Sequence, residues 1–429
     1  MDASTRRRFY YSFGRIGGGA YDGFNNAVLG LYVSALTNNP FVIGYLGNTR
    51  TMEGAVIQPL VGRWSDQTSG PLGRRRPFIL VAAPISVFFL LLIPTLGRTG
   101  HQLALPLVAA SVMLFSITWN VAADPYDALM VDITPPARRP VFNSILNVMS
   151  LMGQVGIVLF ASITSLKKNN IPDMVFYVCA ALILLCYTIV FLGVHEPVRK
   201  VERVEPVDTL SLRASIREVQ NFREALKLLA GIFFLWNGSS AILPFLTVFI
   251  VKTMHASKSQ SLTIYMVAVF AGAVCAYPSG RLGARFGSRP IILVGTVLLI
   301  ISAGVGTIMP SYIWLFPEAI LIGAGFAATN TLTYPYLSQL VPASRIGVFT
   351  GLKTSFQAVA LPVSILGTGT IISHFGYRSI FVILAIMMIC DLACLLSIDE
   401  TAAKRQLQGT GPSVPRSFLK TASVTAAPA

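Results

Sequence analysis

Five ionisable side chains interrupt segments that are otherwise apolar: Asp22, Arg50, Glu53, Asp124 and Asp127. The stretch GNTRTMEGAVIQPLVGRWSD, Gly47 to Asp66, holds two of them near the middle of what reads as one helix. A charge at the centre of a helix in hydrocarbon costs at least about 2.5–3.5 kcal/mol, so it normally faces a cavity or a partner. The spacing sorts these residues onto faces. Arg50 and Glu53 are three apart, Asp22 and Asn26 four apart, and Asn120, Asp124 and Asp127 four and then three apart. A structural ion pair would account for Arg50 with Glu53, but it leaves the other acids in surplus. Asp22, Glu53, Asp124 and Asp127 against Arg50 either bind a cation or hold carboxyls that take up protons. These five are the candidate cation-coupling residues, with a proton or sodium as the ion.

A second set of polar residues suits an organic solute. Asn143, Asn147, Ser150 and Gln154 form one helical stripe, and Thr350, Lys353 and Gln357 another. Trp119 and Trp236 are each followed by an amide, Asn120 and Asn237, and either ring could stack on a flat solute or simply pack. The solute-binding candidates are Asn26, Trp119, Asn120, Asn147, Gln154, Trp236, Asn237, Asn330 and Gln357; helix-packing hydrogen bonds are the competing reading. Arg15 and Lys353 have the length to snorkel to an interface. Glu318 falls in the outer third of its helix, as an external gate or an interfacial residue.

The elements that must carry these groups cross a membrane. Of 429 residues, 54% are hydrophobic and 12% charged; the mean hydropathy is +0.66. That composition belongs to polytopic membrane proteins. Apolar runs of roughly 20 residues, enough to cross about 30 Å, recur along the chain. Twelve spans are predicted: 12–36, 41–63, 77–97, 104–131, 141–165, 173–194, 228–251, 260–283, 289–309, 312–339, 347–371 and 376–397. Each must be helical, because backbone polar groups in lipid need partners within the segment.

The formal net charge of +15 is explained by position. With the N-terminus inside, most Lys and Arg fall in cytoplasmic segments, so both termini are expected in the cytoplasm of a plasma-membrane protein. Basicity is then a topology signal and not a nucleic-acid footprint. The five cysteines show no metal or redox spacing, and the four histidines no paired spacing for a metal. No metal or other cofactor is expected. GRIGGGAYDG lacks a preceding strand and a GK[ST] ending, and reads as small residues admitting a neighbouring helix. No cleavable signal peptide is apparent, and no Ser-His-Asp or Cys-His grouping suggests an enzyme.

The chain divides and repeats. VGRWSDQTSGPLGRRRPFIL after span two is answered by SGRLGARFGSRPIIL after span eight, and PPARRPVFNS after span four by VPASRIGVFTG after span ten. The expected organisation is a six-helix bundle over 1–194, a cytoplasmic central loop over 195–227, a second bundle over 228–397, and a disordered cytoplasmic tail over 398–429. A six-plus-six repeat implies a central cavity and alternating access by rocking.

GRWSDQTSGPLGRRRP resembles the loop signature of the major facilitator superfamily, and QPLVGRWSD…GRRRPFIL is similar to the version in glycoside–cation and sucrose–proton symporters. The resemblance implies an all-α fold of twelve transmembrane helices in two pseudo-symmetric bundles. It also implies a cytoplasmic gate at Gly62, Asp66, Gly73, Arg74 and Arg75, with Arg139 as partner. Melibiose-permease-like symporters carry an acid in span one, an Arg-x-x-Asp pair in span two and an Asp in span four, matching Asp22, Arg50 with Glu53, and Asp124. Their further span-two acid is here Ile57, which favours protons over sodium. The expected function is proton-coupled symport of a small organic solute, sugar or glycoside, by a monomer in the bilayer. The alternative is a proton-coupled exporter of apolar compounds; exporters of this superfamily usually carry Gly-Pro in span five, absent from NSILNVMSLMGQVGIVLF.

Overall fold

The computed structural model describes residues 3–49, 57, 60–62, 64–65, 67–68, 70–99, 103–135, 139–166, 170–195, 222–342 and 346–402. Their regular structure is helical, with no strand among the described residues. Among the described residues, ten helices are long and apolar enough to cross a membrane. Spans three to six are Arg76–Gly97, Ala104–Ile133, Arg139–Ser165 and Asp173–Gly193. Spans eight to twelve are Lys258–Phe286, Ser288–Ile308, Leu315–Leu340, Ile346–Phe375 and Ser379–Leu396.

Spans one, two and seven are less regular. Span one is an α-helix over Ala3–Gly23, a π-helical stretch over Phe24–Leu29, and a further α-helix over Gly30–Leu36. The wide turn falls on FNNAVL, directly after Asp22. Such bulges are rare and concentrate at functional sites. Span two opens as Pro40–Leu46, with Pro at its first turn and the Asn39 side chain accepting the Phe41 N–H. Arg50, Glu53 and Asp66 lie outside the described residues. Span seven runs Arg223–Ile242 and resumes as Leu246–Lys252. Pro244, which has no N–H to donate, sits in the break. This span begins five residues before the sequence reading placed it. Its first turn is held by buried Glu224, which accepts from Lys227 at 2.9 Å and from the Asp399 N–H at 2.7 Å.

Helix packing repeats between the halves. Span one lies on spans five and six as span seven lies on eleven and twelve, and the pairs three–four and three–six are matched by nine–ten and nine–twelve. The loop repeat is matched in backbone conformation too, since Gly73 (φ 90°) and Gly287 (φ 95°) both occupy the left-handed region ahead of an Arg-Pro step. Close approach at the one–five crossing depends on glycine as well. A Cβ on Gly19 would land on the Ser150 carbonyl, and one on Gly153 on the Ile16 carbonyl. GRIGGGAYDG is thus a packing face.

The bundles meet along spans five–eight and two–eleven, and between spans one and seven. Among the described residues, their bonds gather at mid-depth and toward the end opposite the termini. Ser162 of span five donates to the Ser259 carbonyl at 3.1 Å and meets the Ser259 and Thr263 hydroxyls, both at 3.0 Å. Thr247 donates to the Ala27 carbonyl, Lys252 to Asn38 and Lys258 to Asn170. Phe245 packs on Gly44, and Phe41 on Gly369. The seam is therefore sealed at that end.

Candidate functional site

The site is assembled where the π stretch of span one faces span eight. The Gln154 amide of span five donates to the Tyr265 hydroxyl of span eight at 3.0 Å. Asn26 and Asp22 of span one lie near the same hydroxyl. Gln154 and Asn26 belong to the first half and Tyr265 to the second, so one phenol ties the bundles together beside an acid. Asp22, Asn26 and Gln154 are half-buried, while Tyr265 is 2% exposed. The π turn also places Asn25, whose amide donates to the Gly47 carbonyl of span two at 3.3 Å.

Ring stacking sets the register of span four against span one. Tyr21 stacks on Trp119 with centroids 4.3 Å apart, and Tyr11 on Tyr126 at 4.4 Å. The lower pair is cross-bonded: Tyr11 donates to the Tyr126 carbonyl at 2.9 Å and Tyr126 to the Tyr11 carbonyl at 2.8 Å. Asp22 is thereby level with Trp119. Asp124 lies five residues further along span four, about 7.5 Å nearer the end carrying the termini, and Asp127 about 4.5 Å beyond it. The structure thus spreads these acids along the depth of the bundle. Asp127 is also paired, its carboxylate 3.1 Å from Arg15, whose guanidinium lies over the Tyr126 ring at 5.9 Å. Arg15 therefore bonds within the bundle in place of snorkelling, and removes Asp127 from the surplus of negative charge.

Several expected solute contacts are otherwise occupied. Trp119 is 1% exposed inside the Tyr21–Tyr187 ring cluster and offers no face to a solute. Asn120 is fully buried beside it. Asn237 is spent on the seven–eleven crossing, its amide donating to the Ala360 carbonyl and its own carbonyl accepting from Ser364. Trp236 is half-buried edge-on to Phe326, Gln357 is half-buried, and Asn147 and Asn330 are exposed, so these four keep free surface.

At the end with the termini, Arg74 bonds both oxygens of Asp132 at 2.9 and 3.0 Å, and Arg75 reaches the same carboxylate at 3.1 Å. The gate pairing expected with Asp66 and Arg139 is thus supplemented by an acid at the end of span four that the sequence reading passed over. Asp66 and the Arg139 side chain lie outside what is described, and Gly62 is half-buried. Glu318 is not interfacial: it is 2% exposed and accepts from Ser302 of span nine at 2.6 Å. Asp391, also unforeseen, is 3% exposed and accepts from Thr296 of span nine at 2.9 Å. Both acids fasten span nine to its neighbours.

Tyr265 is the functional candidate that sequence reasoning missed. A lone tyrosine in an apolar helix looks like core; its signal was a buried hydroxyl that needs a partner.

The model of the Major Facilitator Superfamily matches residues 12–360 and again 228–427. The chain belongs to that superfamily. It is a polytopic all-α transporter with the superfamily's fold. A solved point mutant of the nucleoside transporter NupG superposes with a TM-score of 0.74 at 11% identity over 92% of this chain and 100% of its own. A D-xylose–proton symporter superposes at 0.71 and 15% over 92% and 99%. Among curated sequences, proton-associated sugar transporter A of Mus musculus is 34% identical over 113 residues, 24% of this chain and 14% of that protein. The multi-drug resistance efflux pump PmrA homolog of Lactococcus lactis is 28% identical over 225 residues, 51% and 54% of the two chains. The match thus spans one-seventh to about half the length of these curated relatives.

Proposed function

We propose that this transporter carries a small polar organic solute, of the sugar or glycoside class, together with a proton by alternating access in the plasma membrane, with both termini cytoplasmic. The observation that carries the reading is the Tyr265 hydroxyl, held by Gln154 across the seam between bundles, with Asn26 and Asp22 nearby. A solute hydroxyl entering there competes for bonds that close the seam, and the adjacent carboxylate senses the exchange. Solute and proton are thereby linked through one hydrogen-bonded group. Asp22, Asp124 and the Asp127–Arg15 pair descend from that point toward the end with the termini, which suits stepwise proton release. With the seam sealed at the far end and the basic end in the cytoplasm, the conformation is inward-facing. The names of two relatives, a proton-associated sugar transporter and a D-xylose–proton symporter, agree with this class.

A second reading rests on an apolar crevice of about 530 Å³ beside the same seam, lined among others by Val155, Leu159, Met266, Phe270 and Val274. It suits lateral access of an apolar compound, as the efflux-pump relative's name would imply. The experiment is reconstitution into proteoliposomes with the external pH recorded as sugars and glycosides are added. Solute-driven alkalinisation is expected, abolished in Asp22→Asn while solute counterflow persists. Extrusion of apolar dyes against a proton gradient, with no sugar moving protons, overturns the symport reading.

A further inference from the structure

At the end with the termini, a cleft of about 600 Å³ opens between the start of span one and the end of span six. Arg6, Arg7 and His195 line it with Tyr10, and its floor is Ile189, Leu192 and Gly193. Tyr10 packs against Gly193, where a Cβ would strike it, and Arg6 lies over the Tyr10 ring at 5.7 Å. The back wall is thus fixed. Several other arginines at this end are committed to carboxylates: Arg15 to Asp127, Arg74 and Arg75 to Asp132, Arg289 to Glu400. Among the described residues, neither Arg6 nor Arg7 meets an acid.

Two uncommitted guanidiniums over an apolar floor make a site for a phosphate that carries an apolar body. Leu192, 67% exposed, and Phe9, 50% exposed, extend the apolar surface outward from the cleft, as acyl chains require. Arg is suited to phosphate oxygens because its planar fork donates to two at once. Basic pockets between helices at the membrane surface bind anionic headgroups on this principle. We propose that this cleft holds the headgroup phosphate of an anionic phospholipid from the leaflet at the end with the termini. Free phosphate shares the chemistry but gains nothing from the floor. Nothing in this site depends on the transported solute.

The test uses the full-length protein purified in neutral detergent. Retention of phosphatidylglycerol and of phosphatidylcholine is read by native mass spectrometry, in wild type and in Arg6→Gln/Arg7→Gln. Each basic residue at an anionic surface is worth about fivefold in binding, so the double variant should retain phosphatidylglycerol about thirtyfold more weakly. Phosphatidylcholine should be held equally by both proteins. Arg281→Gln/Arg285→Gln removes the same charge from exposed positions in the other half and should leave retention within about twofold. Equal loss in that control, or no preference for the anionic lipid in wild type, overturns the proposal. Displacement of phosphatidylglycerol by inorganic phosphate at low millimolar concentration would overturn the lipid assignment.

Discussion

Tyr265→Phe tests the link between the seam and transport. The substitution keeps the ring and deletes the atom that receives the Gln154 amide at 3.0 Å. A net hydrogen bond contributes about 1 kcal/mol, so the sealed state loses about that much relative to the state in which the bundles part. That shifts the equilibrium roughly fivefold toward opening at the far end. Spin labels at Thr99 and Ile313, exposed there on different bundles, report it. The inter-label distance distribution should gain a longer component in Tyr265→Phe without solute, and the concentration of solute needed for half-maximal proton movement should change. An unchanged distribution together with unchanged transport would show that the phenol is mere packing and that the coupling argument is wrong.

Ser162→Ala removes a hydroxyl with three partners across the seam and should open the far end similarly, read by the same labels. Asp132→Asn weakens a carboxylate, 12% exposed, that is shared by two guanidiniums, and should lower thermal stability more than the loss of a more exposed pair does. Asp127→Asn breaks a pair whose side chains are 29% and 44% exposed, so its thermal stability should fall by less than about 1 kcal/mol. A greater loss in Asp127→Asn than in Asp132→Asn would contradict the burial argument. Glu318→Gln keeps an acceptor for Ser302 and should leave proton-coupled transport intact; its loss would place Glu318 in the coupling chemistry.

Much of the fold was legible because hydrocarbon enforces it. Twenty-residue apolar runs, basic loops and the repeated Gly–Arg–Pro segment are read without coordinates, and the described helices fall where those runs lie. What failed had local causes. Pro244 breaks span seven, and the wide turn at Phe24–Leu29 leaves no mark in hydrophobic periodicity. Counting residues from span ends cannot give the relative depth of Asp22 and Asp124, because the Tyr21–Trp119 and Tyr11–Tyr126 stacks set that register. Asn237 and Trp119 carry the residue types of a binding site, and only their neighbours reveal that backbone carbonyls and rings already claim them. Asp132 and Asp391 were passed over because an acid at a helix end or deep in a peripheral span resembles many others until its partner is seen.

The reciprocal clasp of Tyr11 and Tyr126 constrains how coupling can operate. With each phenol anchored on the other residue's backbone, the first and fourth helices cannot slide past one another without stranding two buried hydroxyls. The spacing of Asp22, Asp124 and Asp127 is then a ruler fixed throughout the cycle. Protonation must be governed by which side water reaches them from, and not by the acids drawing together or apart.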